Sequence, residues 1–280
     1  MIDLQPDRRL TRAQAESVLE AWLGVPVTCS DIIALKGGMV NSVFRLQFDR
    51  EPHRAVVKVH GAGDDTFTAE ALGLDHLRVE TACPVPRVHA VDDSARLVPH
   101  AYLLLEDIPG VCRAAADLGT SERSDVEVQL ASVLSELHDH TGQHWGEVPA
   151  GSADVSWADV FSARLAEARA HPELPRRLPQ ETLAEADLSI DLCRAALGDV
   201  GPPTLVHGDV WDGNMMLERR HGVWRIAALL DPDLQFADVE LELAYLEVFD
   251  ADRRSFFDAY TDSHPLRSGY EHRRLFYWLH

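Results

Sequence analysis

The stretch LVHGDVWDGNMML, residues 205–217, places His207, Asp209 and Asn214 at the spacing H-x-D-x-x-x-x-N inside an apolar frame. A carboxylate can accept a proton, and a carboxylate with an amide oxygen forms a hard ligand pair that suits magnesium, which keeps water and phosphates in the rest of its shell. Further on, ALLDPD offers Asp231 in a strand-then-turn setting. Phosphoryl transfer from ATP asks for little more. It needs a base near the acceptor hydroxyl, metal ligands for the phosphates and a cation on the nucleotide.

In protein kinases the loop H-R-D-x-x-x-x-N supplies the base from its Asp and a magnesium ligand from its Asn, and a second Asp after the next hairpin holds metal. Asp209, Asn214 and Asp231 occupy those three places. His207 then braces the loop through hydrogen bonds. Upstream, AVVK resembles the V-A-I-K strand, whose Lys contacts nucleotide phosphates and pairs with a helical Glu, which points to Lys58 and Glu70. The turn KGGMVNS offers backbone N–H groups to phosphates at Gly37, Gly38 and Asn41. Lys and Asn are scarce in this chain: Lys36, Lys58, Asn41 and Asn214 are all there are. All four fall at these two places.

Several elements must position such residues. TRAQAESVLEAWLG reads as an amphipathic helix over the first lobe, with Ala15, Val18, Leu19 and Trp22 on one face. From Ile32 to Lys58 the pattern is that of an antiparallel sheet, with DREPHR as a turn. DDTFTAEALGLDHLRV is the helix that carries Glu70, and YLLLED is a further strand. Beyond residue 120, SDVEVQLASVLSELH, WADVFSARLAEAR, TLAEADLSIDLCRAALG, VELELAYLEVF, DRRSFFDAY and YEHRRLFYWLH read as helices, and MMLERRHGVWRIAALLD reads as a hairpin turning at RRHG. The expectation is an α+β chain in two lobes joined near Leu104 to Gly110. Residues 1–107 form a small antiparallel-sheet lobe for the nucleotide, and residues 108–280 a larger, mainly helical catalytic and substrate-binding lobe.

The catalytic HGD of residues 207–209, in place of HRD, resembles the aminoglycoside and choline kinase superfamily, relatives of protein kinases that phosphorylate small-molecule hydroxyls. Within it, HGDVWDGN is most similar to the HGDLWSGN of fructosamine (ketoamine) kinases, with Trp211 and Gly213 kept. The GG turn, LSELH, WADVFSARL and the tail extend the likeness over roughly residues 16–280, although relatives continue their last helix beyond LFYWLH. The resemblance implies a two-lobed kinase-like fold, with ATP and magnesium as cofactors. It implies Asp209 as base, Asn214 and Asp231 on magnesium, and Lys58 with Glu70 on the α and β phosphates. It also implies that the hinge Leu105, Glu106 and Asp107 offers backbone groups to adenine, and that Glu242 braces the HGD loop.

The expected activity is phosphorylation of a small ketoamine or other amino-sugar hydroxyl. Two alternatives stay open: an aminoglycoside phosphotransferase, and a nucleotide-binding pseudokinase. Asp212 stands where the family has Ser, and Ala237, Asp238 and Val239 stand where it has Gly-His-Arg. Trp211, Asp212 and Glu240, with Glu247 and Asp250, are candidates to face an amine-bearing acceptor. With 26 basic against 46 acidic residues, the net charge of -20 disfavours nucleic acid and anionic membranes as partners. No run of 18 apolar residues or signal-like start is present, and four scattered cysteines form no C-x-x-C pair, which predicts a cytoplasmic protein with reduced thiols.

Overall fold

The computed structural model describes residues 10–35, 41–60, 67–148, 155–249 and 253–279. Its first helix, α1 (Arg12–Leu23), starts at a Thr11–Gln14 capping box and stops at Gly24, whose left-handed backbone provides the cap. The strands β1 (Cys29–Leu35), β2 (Ser42–Phe48) and β3 (Arg54–His60) follow, then α2 (Thr68–Glu80), β4 (Val88–Asp92) and β5 (Ala101–Glu106). They form one antiparallel sheet in the order β1-β2-β3-β5-β4. One face packs Leu46, Val57 and Leu104 against Ala15, Val18 and Leu19 of α1. The other packs Leu103 and Leu105 against Phe67, which caps α2, and against Ala71 and Leu74 within it. Alternation along β3 and β5 therefore feeds two cores at once.

The second part contains β6 (Val111–Cys112), α3 (Thr120–His138), β7 (Gly146–Glu147), α4 (Trp157–Arg169), α5 (Leu174–Arg177), α6 (Gln180–Ala196), β8 (Thr204–Val206), β9 (Met215–Arg220), β10 (Val223–Leu229), β11 (Gln235–Ala237), α7 (Val239–Phe249), α8 (Arg254–Thr261) and α9 (Tyr270–Tyr277). The hairpin read from MMLERRHGVWRIAALLD is β9–β10, turning at His221 and Gly222. The sequence pattern shows neither β6, which joins the hairpin in the sheet β10-β9-β6, nor the small sheet β7-β11-β8. β6 lies in GVCRAAADLG, where two strand residues are too few to leave a pattern. Gly110 lets it approach β9, because a Cβ there would lie 2.1 Å from the Leu217 carbonyl oxygen.

Leu77 of α2 and Cys83 share a core with Leu130 and Leu134 of α3, Met215 and Leu217 of β9, and Leu243 of α7. The two parts are thus welded beside the hairpin that precedes Asp231. Among the described residues no helix is long and apolar enough to cross a membrane, and all four cysteines are free.

Candidate active site

β8 is buried in its small sheet and delivers His207, Gly208 and Asp209 at its end. Gly208 has φ +86°, and a Cβ there would lie 2.2 Å from the backbone oxygen of Asp233. The second residue of HGD is therefore glycine because the Asp231–Asp233 turn packs directly on it. The amides of His207 and Gly208 donate to Glu242 at 3.3 and 2.7 Å. Glu242 also pairs with His138 Nε2 at 2.7 Å, and His138 Nδ1 meets the Tyr260 hydroxyl at 2.7 Å. Burial opposes ionisation of Glu242, but the hydrogen bond and charge of His138, then His207 and the Gly208 amide, hold its carboxyl below the usual range. Burial lowers the pKa of His207, which keeps the ring neutral. Its Nδ1 accepts from the Asp209 amide at 3.4 Å.

Asp209 is half-buried at the tip. A 3₁₀ turn, Asp212–Asn214, brings the Asn214 amide back onto it, donating to Asp209 Oδ2 at 2.7 Å and to its carbonyl at 3.1 Å. Those two bonds use both hydrogens of the amide, so its oxygen remains for a hard cation. Burial raises the Asp209 pKa. The Asn214 bond works against that, while the charges of Asp231, Asp233 and Glu242 add to it.

Lys58 of β3 is 5% exposed, and its ammonium donates to both oxygens of Glu70 on α2 at 2.7 and 2.8 Å and to Asp231 Oδ1 at 2.9 Å. Burial alone would favour the neutral amine, yet the Asp231 and Glu70 carboxylates outweigh it and hold Lys58 protonated. Asp231 takes a left-handed backbone, φ +56°, just after β10, and its side chain is 44% exposed. Gly73 of α2 sits against Pro232 and Leu234, so the helix bearing Glu70 rides on the turn bearing Asp231. The donor set fits magnesium: an amide oxygen and a part-exposed carboxylate, both hard. Among the described residues no cluster of three His, Cys, Asp or Glu competes with it.

A profile of the fructosamine kinase family matches residues 11–280. The chain belongs to the fructosamine kinase family. Curated relatives include a probable ketoamine kinase of Synechocystis sp., 27% identical over 92% of this chain and 84% of its own. Another, from Staphylococcus aureus, is 26% identical over 93% and 89%. Among solved structures, a Haemophilus somnus protein named for fructosamine-3-kinase superposes with a TM-score of 0.70 at 20% identity, over 94% and 86% of the two chains. Aminoglycoside phosphotransferase APH(4)-Ia, bound to ADP and hygromycin B, gives 0.68 at 21% over 95% and 88%. These likenesses show the α+β, two-lobed, kinase-like fold.

In this fructosamine kinase family member the structure brings together Asp209 with Asn214, Lys58 with Glu70 and Asp231, and His207 with Glu242. It withdraws others from the roles read in the sequence. Glu240 is 1% exposed and is held by Arg267 at 3.0 Å and Arg273 at 2.7 Å, so it cannot meet an acceptor. Asp212 is taken by Arg113 and Arg253. Glu247 is paired with Arg274 and Tyr270. At the hinge, Leu105 is buried within β5, and the Glu106 amide already donates to the Arg87 carbonyl at 2.9 Å, so it is not an adenine donor. The Asp107 side chain binds Arg45 at 2.9 Å. Asn41 stands just before β2, and the ring of Trp211 lies over Gly213, where a Cβ would collide with it. Gly37, Gly38 and Asp250 lie outside the described residues.

Three residues escaped the sequence reading. Asp233 is exposed beside Gly208, and its side chain takes a hydrogen bond from Gln235 at 3.1 Å with no basic partner among the described residues. Tyr245 of α7 is pushed up to about 12, by burial first, while Arg164 of α4 opposes the charges of Asp233 and Asp209. The DPD triplet was the one available cue to Asp233; nothing local marks Tyr245 or Arg164.

Proposed function

We propose that this protein phosphorylates a hydroxyl of a ketoamine with ATP, using residues 1–107 for the nucleotide and residues 108–280 for chemistry and the acceptor. The observation that carries the reading is the convergence of Asp209–Asn214 with Lys58–Glu70–Asp231, from four separate segments, with the Leu230 amide beside Asp231 donating to the Asn214 carbonyl at 2.8 Å. Family membership and the ketoamine kinase names of the relatives favour this acceptor class.

Asp209 takes the proton of the acceptor hydroxyl as its oxygen bonds to the terminal phosphorus and the bond to ADP breaks. Its raised pKa brings it nearer to neutral pH, where a general base is most useful. Lys58, oriented by Glu70, supplies a fixed positive charge to the phosphates. Asn214 and Asp231 would hold magnesium, which neutralises phosphate charge when bound. The glycine turn at Gly37 and Gly38 covers the phosphates. Adenine would then be met by hinge backbone groups other than the Glu106 amide, which already donates to the Arg87 carbonyl. With Asp212 and Glu240 withdrawn, Asp233 is an exposed acidic group near Asp209, among the described residues, that could meet an acceptor amine. Free thiols and ATP dependence suit a cytoplasmic setting.

The test is ADP release from ATP and magnesium with a fructosyl amine or a panel of aminoglycosides. ADP with the fructosyl amine is the expected result. ADP with the antibiotics alone would overturn the acceptor class, and ADP with neither would point to a nucleotide-binding pseudokinase.

A further inference from the structure

We propose that Asp212 is a positioning residue for Asn214, acting through a closed ring of four charges; the proposal rests on the kinase reading above. Arg113 follows β6, Glu127 lies on α3, and Arg253 immediately precedes α8. Arg113 Nη2 donates to Glu127 Oε1 at 2.6 Å, and Arg253 Nη1 to Glu127 Oε1 and Oε2 at 3.0 and 3.1 Å. The ring closes on Asp212: Arg253 Nη2 reaches Oδ1 at 3.1 Å, and Arg113 Nη1 reaches Oδ2. Two guanidiniums and two carboxylates cancel in charge, and Arg113, Glu127 and Arg253 are buried.

Each planar guanidinium sends one terminal nitrogen to Glu127 and the other to Asp212, so its rigid shape fixes the direction as well as the distance between the two carboxylates. The ring is anchored in turn. Arg253 Nε donates to the Leu246 carbonyl at 3.0 Å, and Cys112 Sγ meets the carbonyls of Asp212 and Gly213 at 3.2 and 3.3 Å. The turn that carries Asn214 is therefore gripped by side chain and by backbone from one direction. From the other, Asn214 reaches Asp209. Any shift of the turn moves the proposed magnesium ligand relative to the proposed base. A serine, which the family motif has at this place, carries no charge and a single oxygen, so it could not close the ring through two separate oxygens as Asp212 does.

The experiment measures Mn²⁺ binding to the protein with ADP, by electron paramagnetic resonance, beside KM for the fructosyl amine and the melting temperature. Asp212→Asn and Arg253→Gln should each weaken Mn²⁺ binding about tenfold, as is usual for groups that orient a metal ligand. KM for the acceptor should stay within about twofold. The double variant should be no worse than the weaker single one, because both act through one ring. A raised acceptor KM with unchanged Mn²⁺ binding would overturn the proposal and return Asp212 to the substrate. A fall in melting temperature alone would make the ring mere scaffold and overturn it too. If Asp212→Asn does not fold, Arg253→Lys, which keeps the charge but cannot bridge two carboxylates, should still weaken Mn²⁺ binding; wild-type binding there sinks the idea. Wild-type protein that binds Mn²⁺ and ADP yet phosphorylates no acceptor would count against the kinase reading and leave the ring standing.

Discussion

Lys58 Nζ donates to Asp231 Oδ1 at 2.9 Å, joining a strand of the first sheet to a turn 173 residues later. With the two bonds to Glu70, three ammonium hydrogens meet three carboxylate oxygens in a buried site. A guanidinium is longer and planar and cannot reproduce that tripod. Lys58→Arg should lower kcat/KM by roughly 10², the usual penalty for misplacing a catalytic group by about 1 Å. Steady-state kinetics would show it, and near-normal turnover would remove the compact ammonium from the mechanism.

Asp209→Asn should reduce kcat by roughly 10²–10⁴ and leave ADP affinity almost unchanged, because the base acts on the acceptor and not on the nucleotide. The pH profile is a second check. Burial first, then the charges of Asp231, Asp233 and Glu242, hold this carboxyl above the ordinary range. Activity needs the ionised form, so it is present above the raised pKa and lost as pH falls through it. Asp233→Asn removes one of the raising charges and should move the acidic limb of kcat/KM to lower pH. A limb that stays in place would contradict the assignment.

Gly208→Ala should inactivate the protein. The new Cβ would lie 2.2 Å from the Asp233 backbone oxygen at a φ of +86°, so the HGD loop and the Asp231–Asp233 turn must separate. Gly222 is the control: its φ is +82°, but nothing lies within 4 Å. Gly222→Ala should cost about 1 kcal/mol of stability through backbone strain and leave kcat intact. Equal loss of activity in the two variants would mean that strain, and not the contact with Asp233, is what matters.

What could be read from the sequence was local. H-x-D-x-x-x-x-N, the hairpin to Asp231 and the helical spacing of Glu70 all lie within single segments, and the structure assembles them as that order implies. Charge pairing is different. Asp212 and Glu240 looked available because their partners, Arg113, Arg253, Arg267 and Arg273, lie 27 to 99 residues away, and no local pattern in an acid-rich chain marks which carboxylates are taken. β6, β7, β8 and β11 span only two or three residues, too few for periodicity to register.

Glu240 gives a prediction from that correction. It is held between Arg267 and Arg273, and the neighbouring Asp238 binds Arg267 at 2.6 Å and the Tyr277 hydroxyl at 2.6 Å. Glu240→Gln leaves part of this buried cluster unpaired and should destabilise the fold by about 3 kcal/mol, seen as a lower urea midpoint. KM for the fructosyl amine should not change. A rise in KM at unchanged stability would restore Glu240 to the acceptor site.

Glu242 ties stability to the HGD loop. Its carboxyl is held below the ordinary glutamate value of 4.5 although burial works against ionisation, with His138 as the main counterweight. A depressed pKa contributes stability that is present above the unfolded value and lost as pH falls through the folded one. Glu242→Gln should therefore be less stable than wild type throughout neutral pH, with the gap narrowing only below 4.5. It should also lower kcat, since the Gly208 amide loses a charged acceptor at 2.7 Å. Urea midpoints across pH 3 to 8 would read both limbs. If the gap already closed near pH 6, another group would be setting the pH dependence, and Glu242 could not be the anion that holds Asp209 in place.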